Sequence, residues 1–202
     1  MSSILDWWPE RRGDWFFTVS GKRQYILRPS VMDINIADIG GASAKICRFG
    51  GHCLEFYSVA QHAVLVSTIL RDVLGRPDLA FEGLLHDSAE AYLGDVIRPL
   101  KRELRRYRRI EHIWESAICE RFGLSFLMTP EIKTADLIAL ATERKCFAPH
   151  IDPTVDPSAW RWKEDELGVE ALSTPLVAMD WRTARDAFLN RFYSELYARR
   201  AA

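Results

Sequence analysis

The sequence predicts an all-α domain, a single bundle of about six or seven helices with a small N-terminal β-hairpin. Three observations carry that prediction. Apolar residues recur at three- and four-residue spacing in several separate stretches after residue 58. Period-two alternation is confined to residues 14–28. Recognisable helix starts stand directly ahead of the periodic stretches. Residues 1–35 are read as an extension bearing the hairpin, and residues 36–202 as the helical domain.

Residues 14–28, DWFFTVSGKRQYILR, alternate apolar and polar side chains around Ser20-Gly21, which marks a short hairpin set on the domain as an appendage. Ser58 and Gln61 stand in the S-x-x-Q relation of a capping box ahead of an apolar run, so a helix is expected over 58–74. A second helix is expected from Pro77-Asp78 through Glu90, with Leu79, Leu84, Leu85 and Tyr92 as a buried stripe and Gly94 as its stop. A third spans 99–122, basic at first (KRELRRYRR) and then apolar through Ile110, Ile113, Trp114, Ala117 and Ile118. The fourth opens with Thr129 as N-cap and Pro130 at its first position, and runs to about Cys146. Residues 147–177 carry Pro149, Pro153, Pro157, Pro175, Trp160 and Trp162, and read as a long loop with at most short helical pieces. The last helix, 180–199, is amphipathic through Trp181, Ala184, Phe188, Phe192 and Leu196, and is suited to covering the core or forming a subunit interface.

A chain of 202 residues is long enough to bury about 70% of its unfolded surface without staples, so a bound metal would serve chemistry rather than folding. The composition, 48% hydrophobic and 27% charged, belongs to the globular class. A net charge of -1 argues against a duplex nucleic-acid footprint. No apolar run approaches the roughly 18 residues of a membrane span. The start MSSILDWWPERR has no apolar signal core, and Cys47, Cys53, Cys119 and Cys146 form no C-x-x-C pair, so a reduced, cytoplasmic protein is expected.

The chemistry is carried by polar residues on faces that should be core. His62 shares a helix face with Leu65, Val66 and Ile69, where an imidazole needs a hydrogen bond or a metal. His86 and Asp87 are adjacent and leave their helix about 100° apart, so they can grip one ion from neighbouring directions. Glu90 completes that face. Asp136 lies among Ile132, Ala139 and Leu140, where an ionised carboxylate needs a cation; pairing with Lys133 or Arg144 is the plainer alternative. Two imidazoles and two carboxylates suit Mn, Fe, Co, Ni or Zn, and leave the ion's identity open.

The pattern H…HD…D across three helices resembles the HD-domain phosphohydrolases. SVAQHAVLVS followed by GLLHDSAEAYLGDVIRPLK is similar to the bacterial 5'-deoxyribonucleotidases and the related phage dATP triphosphohydrolases, over about residues 35–145. The resemblance implies an HD-domain bundle, with His62, His86, Asp87 and Asp136 as metal ligands and Glu90 and Asp95 as proton-shuttling carboxylates. It implies Arg48, in ICRFGGH, as a phosphate contact, with Lys101 a further candidate and Mg an additional ion at the phosphates. It also implies a small nucleotide substrate and a homo-oligomer. The implied reaction is hydrolysis of deoxynucleoside mono- or triphosphates by a metal-activated water. A nucleotide sensor using the same cage, or a phosphodiesterase acting on a signalling nucleotide, are the alternatives.

Other features carry less. Phe49, Trp160 and Trp162 suit base stacking but more simply serve as packing anchors. Cys47, His52 and Cys53, spaced C-x4-H-C, lack the paired loops of a structural zinc site. His112 and His150 have no clustered partners.

Overall fold

The computed structural model describes residues 14–124, 128–148, 154, 156 and 162–201. Pro149, His150, Pro153, Pro157 and Trp160 lie outside the described residues. The described residues are mostly helical, with one two-stranded sheet among them. β1 (Trp15–Phe17) pairs antiparallel with β2 (Arg23–Tyr25), placing Phe16 opposite Gln24. Gly21, at φ +77°, supplies the left-handed turn residue that the Ser20-Gly21 signal implied.

The hairpin is tied to the helical body. Its turn donates to the buried Asp38 carboxylate through Ser20 N (2.6 Å) and Ser20 Oγ (2.7 Å). Asp38 sits in α1 (Ile36–Ser43), whose N-cap Asn35 accepts from Asp38 N. The sequence reading, which began its helices at Ser58, did not anticipate α1. With two glycines in eight residues, the segment is short and lacks strong periodicity. Phe16 reaches into the core beside Tyr92 and Trp114, and Trp114 Nε1 donates to Ile26 O at 3.1 Å.

α2 (Val59–Thr68) is the central helix, touching α1, α3, α7 and α9. Ser58 caps it by accepting from Gln61 N. Gln61 does not return the bond; its Nε2 donates to Val177 O and its Oε1 accepts from Met179 N, so it anchors the segment leading into the last helix. Beyond Thr68 the helix widens by one residue, with Leu74 N bonded to Ile69 O.

Residues 77–93 keep a helical course, with α3 (Ala80–Leu85) and α4 (Glu90–Leu93) joined by residues 86–89. There the bonds tighten to three-residue spacing: Ser88 N to Leu85 O, Glu90 N to Asp87 O, Ala91 N to Ser88 O. The expected helix 99–122 is likewise two pieces. α5 (Arg98–Glu103) and α6 (Arg105–Phe122) break at Leu104, which leaves helical geometry at φ −94°, ψ 71°. No glycine or proline marks that break, and the two pieces come together where Lys101 meets Glu111.

α7 (Pro130–Phe147) starts as expected, with Thr129 Oγ1 accepting from Ile132 N. α8 (Lys163–Glu166) is the short helical piece of the following loop, and residues 172–179 are pinned to α7 and α2 through Thr142, Cys146 and Gln61. α9 (Trp181–Ala201) covers the core with Ala184, Phe188 and Phe192, packing on α1, α2 and α3. Among the described residues no helix is long and apolar enough to cross a membrane.

Candidate metal centre

Three segments bring chemistry to one point. α2 supplies His62, fully buried on the face it shares with Val66 and Ile69. The tightened turn after α3 supplies His86 and Asp87. α7 supplies Asp136, which is 7% exposed on a face otherwise made of Ile132, Ala135 and Ala139. The two imidazole rings lie 5.3 Å apart between centroids. Asp87 Oδ2 is 3.1 Å from His86 Nε2 and 3.5 Å from His62 Nε2, and Asp136 Oδ1 is also 3.5 Å from His62 Nε2. His62, His86 and Asp87 form a group that could hold a metal ion, their ligand atoms all within 4.8 Å of one another.

The histidines are oriented from behind. His86 Nδ1 lies 2.8 Å from Gly83 O, three residues earlier in the chain. His62 Nδ1 lies 2.6 Å from Glu143 Oε1. With each Nδ1–H directed backwards, both Nε2 atoms face the shared point; both are buried and neither makes a hydrogen bond. Such a pair fits a divalent cation, because two buried imidazole nitrogens and two nearby carboxylates otherwise lack a full set of partners.

The electrostatics agree with the geometry. Burial alone would push Asp87 up, but His86 and His62 outweigh it and hold its carboxyl well below the usual range. Asp136 is lowered against burial by His62, His86 and Lys133. His62 is raised to about 9: burial and Arg48 oppose its charge, but Glu143 and Asp87 overcome them.

Glu90 is 5% exposed, and burial, followed by Asp87 and Asp95, raises it well above the ordinary carboxylate value. Its Oε2 is buried without a hydrogen bond, while Lys101 Nζ stands 3.8 Å from Oε1. Asp95, just past Gly94, is raised by burial and by Asp87, against the pull of Arg48. Lys101 is turned inward, held at 2.5 Å by Glu111. Lys133 pairs with Asp136 Oδ2 at 2.5 Å, so the plainer alternative for Asp136 holds for one of its oxygens while the other faces His62. Arg98 Nη2 approaches Asp136 Oδ2 to 4.0 Å. Arg144 pairs instead with Asp165.

Arg48 enters from a tight loop. Its backbone N donates to Tyr57 O, and the chain then turns through positive φ at Phe49 (58°), Gly50 (62°) and Gly51 (82°). A left-handed non-glycine residue carries a small strain, and here it lies next to the arginine. The guanidinium is buried against Glu143, with Nε 3.1 Å and Nη2 3.0 Å from Oε2. Burial opposes its charge, but Glu143, Asp87, Asp95 and Glu90 together raise its pKa. Phe49 lies under the Arg48 guanidinium and Trp162 under that of Arg144. Cys47 and Cys53 remain free thiols with sulfurs 3.6 Å apart. His112 is exposed and pairs with Glu115.

Glu143 is the residue that the sequence reading missed. Its signal was present: it follows Asp136 by two helical turns, which places both carboxylates on one face of α7. Its 0% exposure gives it the burial of a core residue, although Thr142 and Arg144 flank it in sequence.

No family model matches the chain. The uncharacterized protein YfdR of Escherichia coli (strain K12) is 47% identical over 128 residues, 63% of this chain and 69% of YfdR. The uncharacterized protein RCAP_rcc00048 of Rhodobacter capsulatus is 34% identical over 128 residues, 60% of this chain and 64% of that protein. With the match to YfdR extending over more than two thirds of that protein's length, the chain belongs to the same family as YfdR.

Proposed function

We propose that the chain is a divalent-metal-dependent phosphohydrolase of the HD-domain type that hydrolyses deoxynucleoside 5'-phosphates. The observation that carries this reading is the pair of buried Nε2 atoms of His62 and His86 facing one point beside Asp87 and Asp136. Those four residues would hold the ion, a mixed nitrogen and oxygen set suited to Mn, Fe, Co, Ni or Zn. When bound, the ion supplies a Lewis acid and lowers the pKa of a water towards neutrality.

The remaining work belongs to the chain. Arg48 has its Nε and Nη2 edge fixed on Glu143, so its end-on edge can bind phosphate oxygens. Glu90, whose affinity for a proton is raised by burial and then by Asp87 and Asp95, is suited to carry a proton on Oε2 and pass it to the leaving oxygen. Asp95 stands beside it as the second carboxylate of the relay. Cleavage of a triphosphate is favoured by one further observation: Arg98 and Lys101 both turn towards the site, where they can meet a longer phosphate tail.

The test is to strip the protein of metal and restore Mn, Co, Zn or Mg singly. Release of phosphate and of triphosphate is then measured on nucleoside mono-, di- and triphosphates, with Asp87→Ala as control. Metal-dependent turnover lost in the variant is expected. A protein that binds metal and nucleotide but never turns over would replace this reading with a nucleotide sensor.

A further inference from the structure

We propose that Glu143 is a positioning residue that fixes His62 as a metal donor and holds Arg48 beside it, so that one buried carboxylate sets both the metal ligand and the phosphate contact. The inference rests on the reading above. Glu143 is fully buried, and its two oxygens are divided between partners: Oε1 stands 2.6 Å from His62 Nδ1, and Oε2 takes Arg48 Nε and Nη2. A carboxylate so placed can accept from both. It holds His62 in the form protonated at Nδ1, which leaves the Nε2 lone pair for the ion, and it holds the planar guanidinium in one orientation.

The lateral position of Glu143 on α7 makes the arrangement rigid. Asp136 and Glu143 lie two turns apart on one helix face, so the direct ligand and the group behind His62 move as one body. An amide cannot replace the carboxylate. In Glu143→Gln the single carbonyl oxygen can serve His62 or Arg48, while the NH2 turns against the other, which is also a donor.

A second buried carboxylate supplies the control. Glu195, 2% exposed, binds Arg71, just past the end of α2, and Arg191 on α9. Mn2+ affinity of stripped protein is measured by calorimetry for wild type, Glu143→Gln and Glu195→Gln. The expected result is a 10- to 100-fold loss for Glu143→Gln, as for other groups orienting a metal-bound histidine, and an unchanged affinity for Glu195→Gln. Equal affinities in the two variants would overturn the inference while leaving the phosphohydrolase standing. A wild type that binds no metal would instead remove the phosphohydrolase reading itself, and this inference with it. Should Glu143→Gln not fold, nitrogen NMR of histidine-labelled, Zn2+-loaded wild type decides: a protonated Nδ1 on His62 supports the assignment, and an unprotonated or metal-bound Nδ1 overturns it.

Discussion

The ligands of the candidate metal centre come from α2, the turn after α3 and α7, elements that meet only when the chain is folded. The unfolded chain therefore offers no comparable site, and metal binding should add to folding stability almost in full. With free metal at 100 times its dissociation constant, the added stability is about 2.7 kcal/mol. A domain of this size shifts its melting temperature by about 2–4 °C per kcal/mol, so a rise of about 5–10 °C is expected when Mn2+ or Zn2+ is restored to stripped protein. Removing one ligand removes the response: Asp87→Ala deletes the carboxylate that lies within 3.5 Å of both Nε2 atoms, and its melting temperature should stay level across the same titration. Differential scanning calorimetry at fixed protein concentration and pH 7.5 is the assay. A wild type whose melting temperature is indifferent to every divalent ion, or an Asp87→Ala protein that gains as much as wild type, would refute the assignment of these residues to a metal.

Other consequences follow from single residues. Arg48→Lys keeps the charge but loses the planar fork, and should cost about 1.5–3 kcal/mol of transition-state stabilisation, roughly 10- to 150-fold in kcat/KM; an unchanged value would remove Arg48 from the phosphate site. At Gly83 an added Cβ would sit 2.1 Å from Leu70 Cδ1, so Gly83→Val should overpack the contact of α3 with the segment just past α2 and lower stability by about 1–3 kcal/mol in urea unfolding. Trp114→Ala empties a fully buried site stacked on Tyr92 and strands Ile26 O, with an expected loss of about 3–5 kcal/mol, read from the same curves. Asp180 is held below its usual value first by the Thr183 hydroxyl and then by the amides of Arg182 and Thr183. Its folded pKa is depressed, so its contribution is present above the unfolded value near 4 and is lost as pH falls through the folded one. Asp180→Asn should therefore show a flatter stability profile below about pH 4, and an identical slope in both proteins would count against these hydrogen bonds as the cause.

Much of the site could be read from one dimension because local rules suffice there. A histidine on the apolar face of α2 or an aspartate among Ile132 and Ala139 is anomalous whatever the tertiary packing, since burying it alone is costly. Thr129-Pro130 and Ser20-Gly21 announce a helix start and a hairpin turn through backbone preferences that act within a few residues. The role of Glu143 depends on His62 and Arg48, which lie 81 and 95 residues away in the chain, so no local preference could assign it. Lys101 stands in a basic run, KRELRRYRR, from which the sequence offers it only as a candidate phosphate contact; its approach to Glu111 and Glu90 is set by tertiary packing. Gln61 reads as half of a capping box until Val177 and Met179 offer its amide better-placed partners. The helix break at Leu104 carries no glycine or proline, and it lies where α5 and α6 bring that lysine to its glutamates. That His62 and Asp136 needed a partner was determined by the sequence alone, through periodicity and the cost of burial; which partners they found, and that Glu143 joins them, was decided only by tertiary packing, because that depends on distances between helices that no local spacing encodes.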